Sequence, residues 1–158
     1  MYKPIIVIHE TISSKEEAIK IIQANPNTIS YHVIISLSGE ITYLIPPDEI
    51  AKAGNNASFN GESIDNSVDE FAYHIALESP LDSIPEVTDH SGYTNLQYYS
   101  LAWLTAKTGI SLDRIVLHKD IDLSGSRQDP RSFDRAKFEK LWNSYPKTKE
   151  IFFAIENE

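Results

Sequence analysis

Four consecutive β-branched apolar residues, Ile5-Ile6-Val7-Ile8, constrain this chain more than any other feature. A strand with one face in water alternates apolar and polar side chains, so an unbroken run marks a strand covered on both faces. Such strands lie inside parallel or mixed sheets with helices on either side. Helix signals follow at once. Ser14 and Glu17 fit a capping box, Ala18, Ile21 and Ile22 give an apolar stripe, and Asn25-Pro26 ends it. Residues 30–37 and 40–44 read as a hairpin around Ser38-Gly39, where glycine supplies the positive φ of a tight turn, and Pro46-Pro47 closes it.

Residues 53–67, rich in Asn, Ser, Gly and Asp, read as a long surface loop, and loops beyond ~12 residues are often functional. Residues 71–77 return to strand. After a second irregular stretch over 79–92, Thr94 and Gln97 make another capping box. Leu96, Tyr99, Trp103 and Leu104 fall on one helical face, predicted to be buried, and Gly109 is placed to stop the helix. A strand over 114–117 precedes the last helix. Asp134 is its expected N-cap, Phe133 and Phe138 its hydrophobic staple, and Phe138, Leu141, Trp142 and Tyr145 its buried stripe. Trp103 and Trp142 are thus expected in the core. A final strand is expected over 151–155. The layout predicts one α/β domain over residues 1–158, with a mixed central β-sheet flanked by about three helices.

Composition narrows the function. A net charge of -9 argues against nucleic acid and against a polybasic grip on membranes or wall polymers. The absence of cysteine excludes disulfides and thiolate chemistry. MYKPIIVIHE is not a signal peptide, because its apolar run is short and Glu10 interrupts it. No stretch approaches the ~18 apolar residues of a membrane span, so a soluble, cytoplasmic protein is expected.

The chemistry-bearing residues sit at strand ends, where rigid elements hand side chains to a site. Residues 115–130, IVLHKDIDLSGSRQDP, open as a strand that delivers His118, then form a polar loop carrying Arg127 and Asp129. The first strand delivers His9 in the same way. Two histidines and one aspartate leave a tetrahedral zinc one position short, as in a catalytic site whose open position holds water. The strand over 71–77 delivers Glu78. Taken singly, each also has a plain structural reading: His9 as a hydrogen-bonded strand-end histidine, Glu78 as a surface carboxylate, Tyr31 as a strand aromatic, Arg127 as an ion-pair partner of Asp129, and Asp129-Pro130 as a turn initiator.

The blocks IVIHET, SYHVIISLSGEITYLIP, HIALES, YTNLQYYSLAWL and IVLHKDIDLSGSRQDP, in that order, closely resemble the zinc-dependent N-acetylmuramoyl-L-alanine amidases, the fold group of the phage lysozyme-type amidases and peptidoglycan recognition proteins. The resemblance implies one zinc ion held by His9, His118 and Asp129. It also implies Glu78 as general base, Tyr31 as a catalytic tyrosine, and Arg127 where many members carry lysine. The implied reaction is hydrolysis of the amide between the lactyl group of N-acetylmuramic acid and L-alanine, with peptidoglycan or soluble muropeptides as partners. Two features depart from the pattern. Ala51-Lys52-Ala53-Gly54 stands where the family usually reads Trp-His-Ala-Gly, and the segment between Asn66 and Tyr73 is longer than usual. His32, His74 and His90 carry no expected catalytic role. A non-catalytic muropeptide-binding module is the alternative function, and release by phage lysis or dedicated secretion the alternative setting.

Overall fold

The computed structural model describes residues 2–153. Five strands form one mixed sheet in the order β3-β2-β4-β1-β5. These are β1 (Ile5–Glu10), β2 (Val33–Ile35), β3 (Ile41–Tyr43), β4 (Ala72–Leu77) and β5 (Ile115–Leu117). β1 runs parallel to β4 and β5, β4 runs parallel to β2, and only the β2–β3 pair is antiparallel. The α/β architecture expected from the Ile5–Ile8 run is therefore present, with every residue of β1 buried. Its apolar side chains divide by parity. Ile6 and Ile8 join Tyr73, Ile75, Leu77, Leu101, Leu104 and Phe138 on one side, and Ile5 and Val7 pack with Ala57, Phe59, Val68 and Phe71 on the other. Each fully buried Ile or Leu contributes roughly 1.5–3 kcal/mol, which makes this double-sided strand the centre of the molecule.

Three longer helices cover the sheet: α1 (Lys15–Ala24), α2 (Asn95–Ala106) and α4 (Arg135–Ser144). A short α3 (His118–Ile121) opens where β5 ends. The N-caps stand at the expected residues, although Ser14 and Glu17 close only one half of the expected capping box. Ser14 Oγ accepts from the Glu17 N–H at 3.2 Å, Thr94 and Gln97 close a full capping box, and Asp134 accepts from the Lys137 N–H at 3.0 Å. Phe133 and Phe138 pack with ring centroids 5.9 Å apart, tilted to each other, as the staple of α4. The hairpin is shorter than expected, with Gly39 at its turn (φ +83°), and a Cβ there would come within 2.8 Å of the Leu96 carbonyl oxygen.

Three expectations need correction. α2 buries Tyr98, Leu101, Ala102, Leu104 and Thr105, whereas Leu96, Tyr99 and Trp103 face solvent, so Trp103 is not a core residue. Trp142 is half-buried against the α4 side of the core. Residues 151–153 form no strand, although Phe153 is buried against Tyr73, and residues 154 and 155 lie outside the described residues.

The two irregular stretches are folded segments. Residues 53–67 turn back on themselves through isolated bridges, Asn55 with Ser67 and Phe59 with Glu62, and a third ties Ala57 to Asp122. Residues 79–92 are strapped to the sheet by Arg131. Its Nε donates to Glu10 Oε1 at 2.7 Å, while one terminal nitrogen donates to the carbonyls of Ile84 (2.6 Å) and Val87 (2.9 Å).

Candidate metal centre

Parallel pairing of β1 with β5 sets Ile8 beside Leu117, so the next residues, His9 still within β1 and His118 at the start of α3, emerge side by side. Both rings are buried, with centroids 4.6 Å apart, edge to face. Asp129 returns to them from the loop after α3, and its carbonyl accepts from the Lys119 N–H at 2.9 Å. Its carboxylate lies 3.0 Å from His9 Nδ1 through one oxygen and 3.0 Å from His118 Nδ1 through the other. The ligating atoms of all three residues lie within 4.8 Å of one another. Donors around a tetrahedral zinc with bonds of about 2.0–2.1 Å are about 3.3 Å apart, so the trio fits one small divalent ion. Two imidazoles and a carboxylate also suit such an ion chemically. His118 Nε2 is buried without a hydrogen-bond partner among the described residues.

Burial lowers the pKa of His9 to about 3, against the raising influence of the neighbouring Asp129 carboxylate. The ring is therefore neutral at ordinary pH, the state in which imidazole ligates. Tyr31 is buried with its ring 5.2 Å from that of His9. Burial pushes its hydroxyl up, and Asp129 adds to this while Arg127 opposes it, so the phenol keeps its proton through the physiological range. The Arg127 backbone N–H donates to Asp122 at 3.1 Å, and its side chain is exposed. His9, His118, Asp129, Tyr31 and Arg127 thus share one neighbourhood.

Glu78 is directed elsewhere. Its Oε1 accepts from the Leu37 N–H at 2.8 Å and its Oε2 from the Lys15 N–H at 2.7 Å, the first residue of α1. The residue that faces His9 across the β1–β4 ladder is Ala76. Behind His9 stand two residues that sequence reasoning gave no role in the site. His74 Nδ1 lies 2.8 Å from His9 Nε2, and His74 Nε2 lies 2.8 Å from Asp69 Oδ1. In sequence His74 is one more strand histidine, and only the β1–β4 register, which pairs it with Val7, brings its ring diagonally against that of His9.

Fold and site together define an α/β domain whose central strands gather a His-His-Asp ligand cluster at one end of a mixed sheet. A family model described as N-acetylmuramoyl-L-alanine amidase matches residues 3–132, and the chain belongs to that family. No curated protein sequence matches the chain at a significant level. Among solved structures, a selenomethionine derivative of AmpD is 24% identical with a TM-score of 0.64, over 89% of this chain and 85% of that one. The amidase AmiD from E. coli, in complex with anhydro-N-acetylmuramic acid-L-Ala-D-gamma-Glu-L-Lys, is 20% identical with a TM-score of 0.66, over 81% of this chain and 52% of that one. The amidase LysC from Clostridium intestinale is 22% identical with a TM-score of 0.62, over 91% and 88%. At these identities the likeness speaks for the fold.

Proposed function

We propose that this chain is a zinc-dependent N-acetylmuramoyl-L-alanine amidase, cleaving the amide between the lactyl group of N-acetylmuramic acid and L-alanine of a stem peptide. The observation that carries the reading is the convergence of His9 Nδ1, His118 Nδ1 and the Asp129 carboxylate in a chain of that family. Bound there, zinc would supply a water acidified toward a pKa of ~7 and a Lewis acid for the scissile carbonyl. The protein's own groups would hold the ligand in its binding form and stabilise the developing charge. Burial keeps His9 neutral for ligation, Tyr31 retains a hydroxyl proton to donate to the developing oxyanion, and the exposed Arg127 adds positive charge that acts on Tyr31. The complex of AmiD with an anhydromuramyl peptide supports soluble muropeptides as the substrate class. The net charge of -9 favours such fragments over intact wall, which suits recycling in the cytoplasm.

The test uses a soluble muramyl tetrapeptide followed by mass spectrometry. Peptide beginning at L-alanine should appear, stop with a chelator, return with zinc, and be lost with zinc retention in Asp129→Ala. Absence of release from zinc-loaded protein would overturn the enzymatic reading, and faster release from intact sacculi would overturn the preference for fragments. One observation favours a second reading, a muropeptide-binding module. Ala76 occupies the position beside His9, and the Glu78 carboxylate is engaged by backbone amides. Saturable binding of the tetrapeptide without turnover would establish it.

A further inference from the structure

We propose that His74 and Asp69 form a hydrogen-bond relay that fixes His9 as an Nδ1 ligand, an inference that rests on the metal-site reading above. The relay runs from Asp69 Oδ1 to His74 Nε2 at 2.8 Å, and from His74 Nδ1 to His9 Nε2 at 2.8 Å. Proton positions follow from its outer end. Asp69 Oδ1 also accepts from the backbone N–H groups of Gly54 (2.6 Å) and Ala53 (3.2 Å). Burial by itself would raise the Asp69 carboxyl, but the hydrogen bonds from His74 and these amides hold it below its ordinary value. It is an ionised, acceptor-only group, so the ring nitrogen facing it carries a hydrogen. In the tautomer that carries its hydrogen on Nε2, His74 presents a lone pair at Nδ1, and the contact to His9 then requires the hydrogen on His9 Nε2. His9 Nδ1 is left as a lone pair.

That lone pair meets a carboxylate oxygen of Asp129 at 3.0 Å, and the same carboxylate lies beside His118 Nδ1. Acceptor facing acceptor is repulsive, and a cation between them turns the arrangement into an attractive one. The relay therefore sets the tautomer that a metal needs before any metal arrives.

The surroundings hold the relay in place. The His74 N–H donates to His32 Nδ1 at 3.0 Å, so His32 is the Nε2–H tautomer and donates to the Glu49 carbonyl at 2.7 Å. At Gly54 a Cβ would come within 2.5 Å of Val68 Cγ2 and 3.0 Å of both Asp69 Oδ1 and His74 Cε1. Only glycine lets that turn bring its amides to Asp69. The other histidine has no such brace among the described residues, where His118 Nε2 is buried without a partner. His74 and Asp69 are positioning residues: they orient the ring and strengthen its donor nitrogen, and loss of such partners typically costs about 10–100-fold in metal affinity.

The experiment compares wild type with His74→Phe, His74→Gln and Asp69→Asn. It reads zinc affinity by chelator competition, the His9 tautomer in metal-free protein by long-range 1H–15N NMR, and kcat and KM of the zinc-loaded forms. In metal-free wild type the His9 hydrogen should sit on Nε2. His74→Phe should lose about 10–100-fold in zinc affinity and the tautomer preference, with KM little changed. His74→Gln, whose amide can accept from His9 and donate to Asp69, should restore affinity to within a few-fold, and Asp69→Asn should fall between. A hydrogen on His9 Nδ1 in metal-free wild type would overturn the relay. So would a folded His74→Phe or Asp69→Asn protein with wild-type affinity and tautomer. If His74→Phe does not fold, Asp69→Asn decides. A wild type that takes up no zinc defeats the metal-site reading, while the metal-free tautomer still tests the relay.

Discussion

Glu78 and Ala76 stand two residues apart at the end of β4, and the β1–β4 register decides which of them meets His9. Because Ala76 does, the Glu78 carboxylate is spent on two backbone amides that tie α1 and the β2–β3 turn to the sheet. Substituting Glu78→Gln replaces one acceptor oxygen by a donor that opposes a backbone N–H. Urea unfolding should register a loss of about 1–3 kcal/mol. Turnover per folded molecule should stay within about tenfold of wild type. A general base would contribute on the order of 10²–10⁴-fold, so a drop of that size at wild-type stability would return Glu78 to proton transfer. His9 and His118 were legible in sequence because a strand end is a local signal, and Asp129 because it stands in the Asp-Pro dipeptide of the resembled family. The surroundings of Glu78 were not, because its carboxylate meets backbone amides 41 and 63 positions away and no local pattern encodes such contacts.

Among the elements, α2 shows the same division. Its N-cap was legible because Thr94 and Gln97 satisfy each other within one turn. Its buried face was not, because the helix is apolar nearly all round. Leu96-Tyr99-Trp103 and Tyr98-Leu101-Thr105 are both helical stripes, and contact with the sheet and α4 selects the second. Residues 79–92 were legible only as irregular. What orders them is a buried ion pair, Glu10 with Arg131, completed by hydrogen bonds to Glu10 from Ser79 Oγ at 2.8 Å and from His90 Nε2 at 2.9 Å. Removing one partner of a buried pair leaves an uncompensated charge, at a cost of about 3–5 kcal/mol. Arg131→Met should lower stability by that amount in urea. It should also expose residues 79–92 to limited proteolysis, since the carbonyls of Ile84 and Val87 lose their donor. Wild-type stability and protease resistance would show that the strap contributes nothing.

At the scale of the molecule, both histidines that burial keeps neutral titrate with unfolding. Burial lowers His9 to about 3 and His32 to about 4, from an ordinary value of 6.5. A lowered histidine binds its proton more readily in the unfolded chain, so its contribution is fully present above pH 6.5 and is lost as pH falls toward the folded-state value. Between pH 6.5 and 4 the unfolded chain takes up to two more protons at these positions, a slope of up to about 2.7 kcal/mol per pH unit. Asp129, Asp69 and Glu10, all lower in the fold than in the open chain, lose their contributions at more acid pH, below the ordinary carboxylate range. Acid sensitivity should therefore begin in the histidine range. Metal-free protein in urea should lose about 2–4 kcal/mol between pH 7.5 and pH 5. Saturating zinc, which binds only the deprotonated ligand set, should raise stability most at the upper end of this range and progressively less toward pH 5. A metal-free unfolding midpoint that stays level down to pH 4.5 and then falls would place the sensitivity on the carboxylates alone, and would mean that His9 and His32 are not held neutral by the fold.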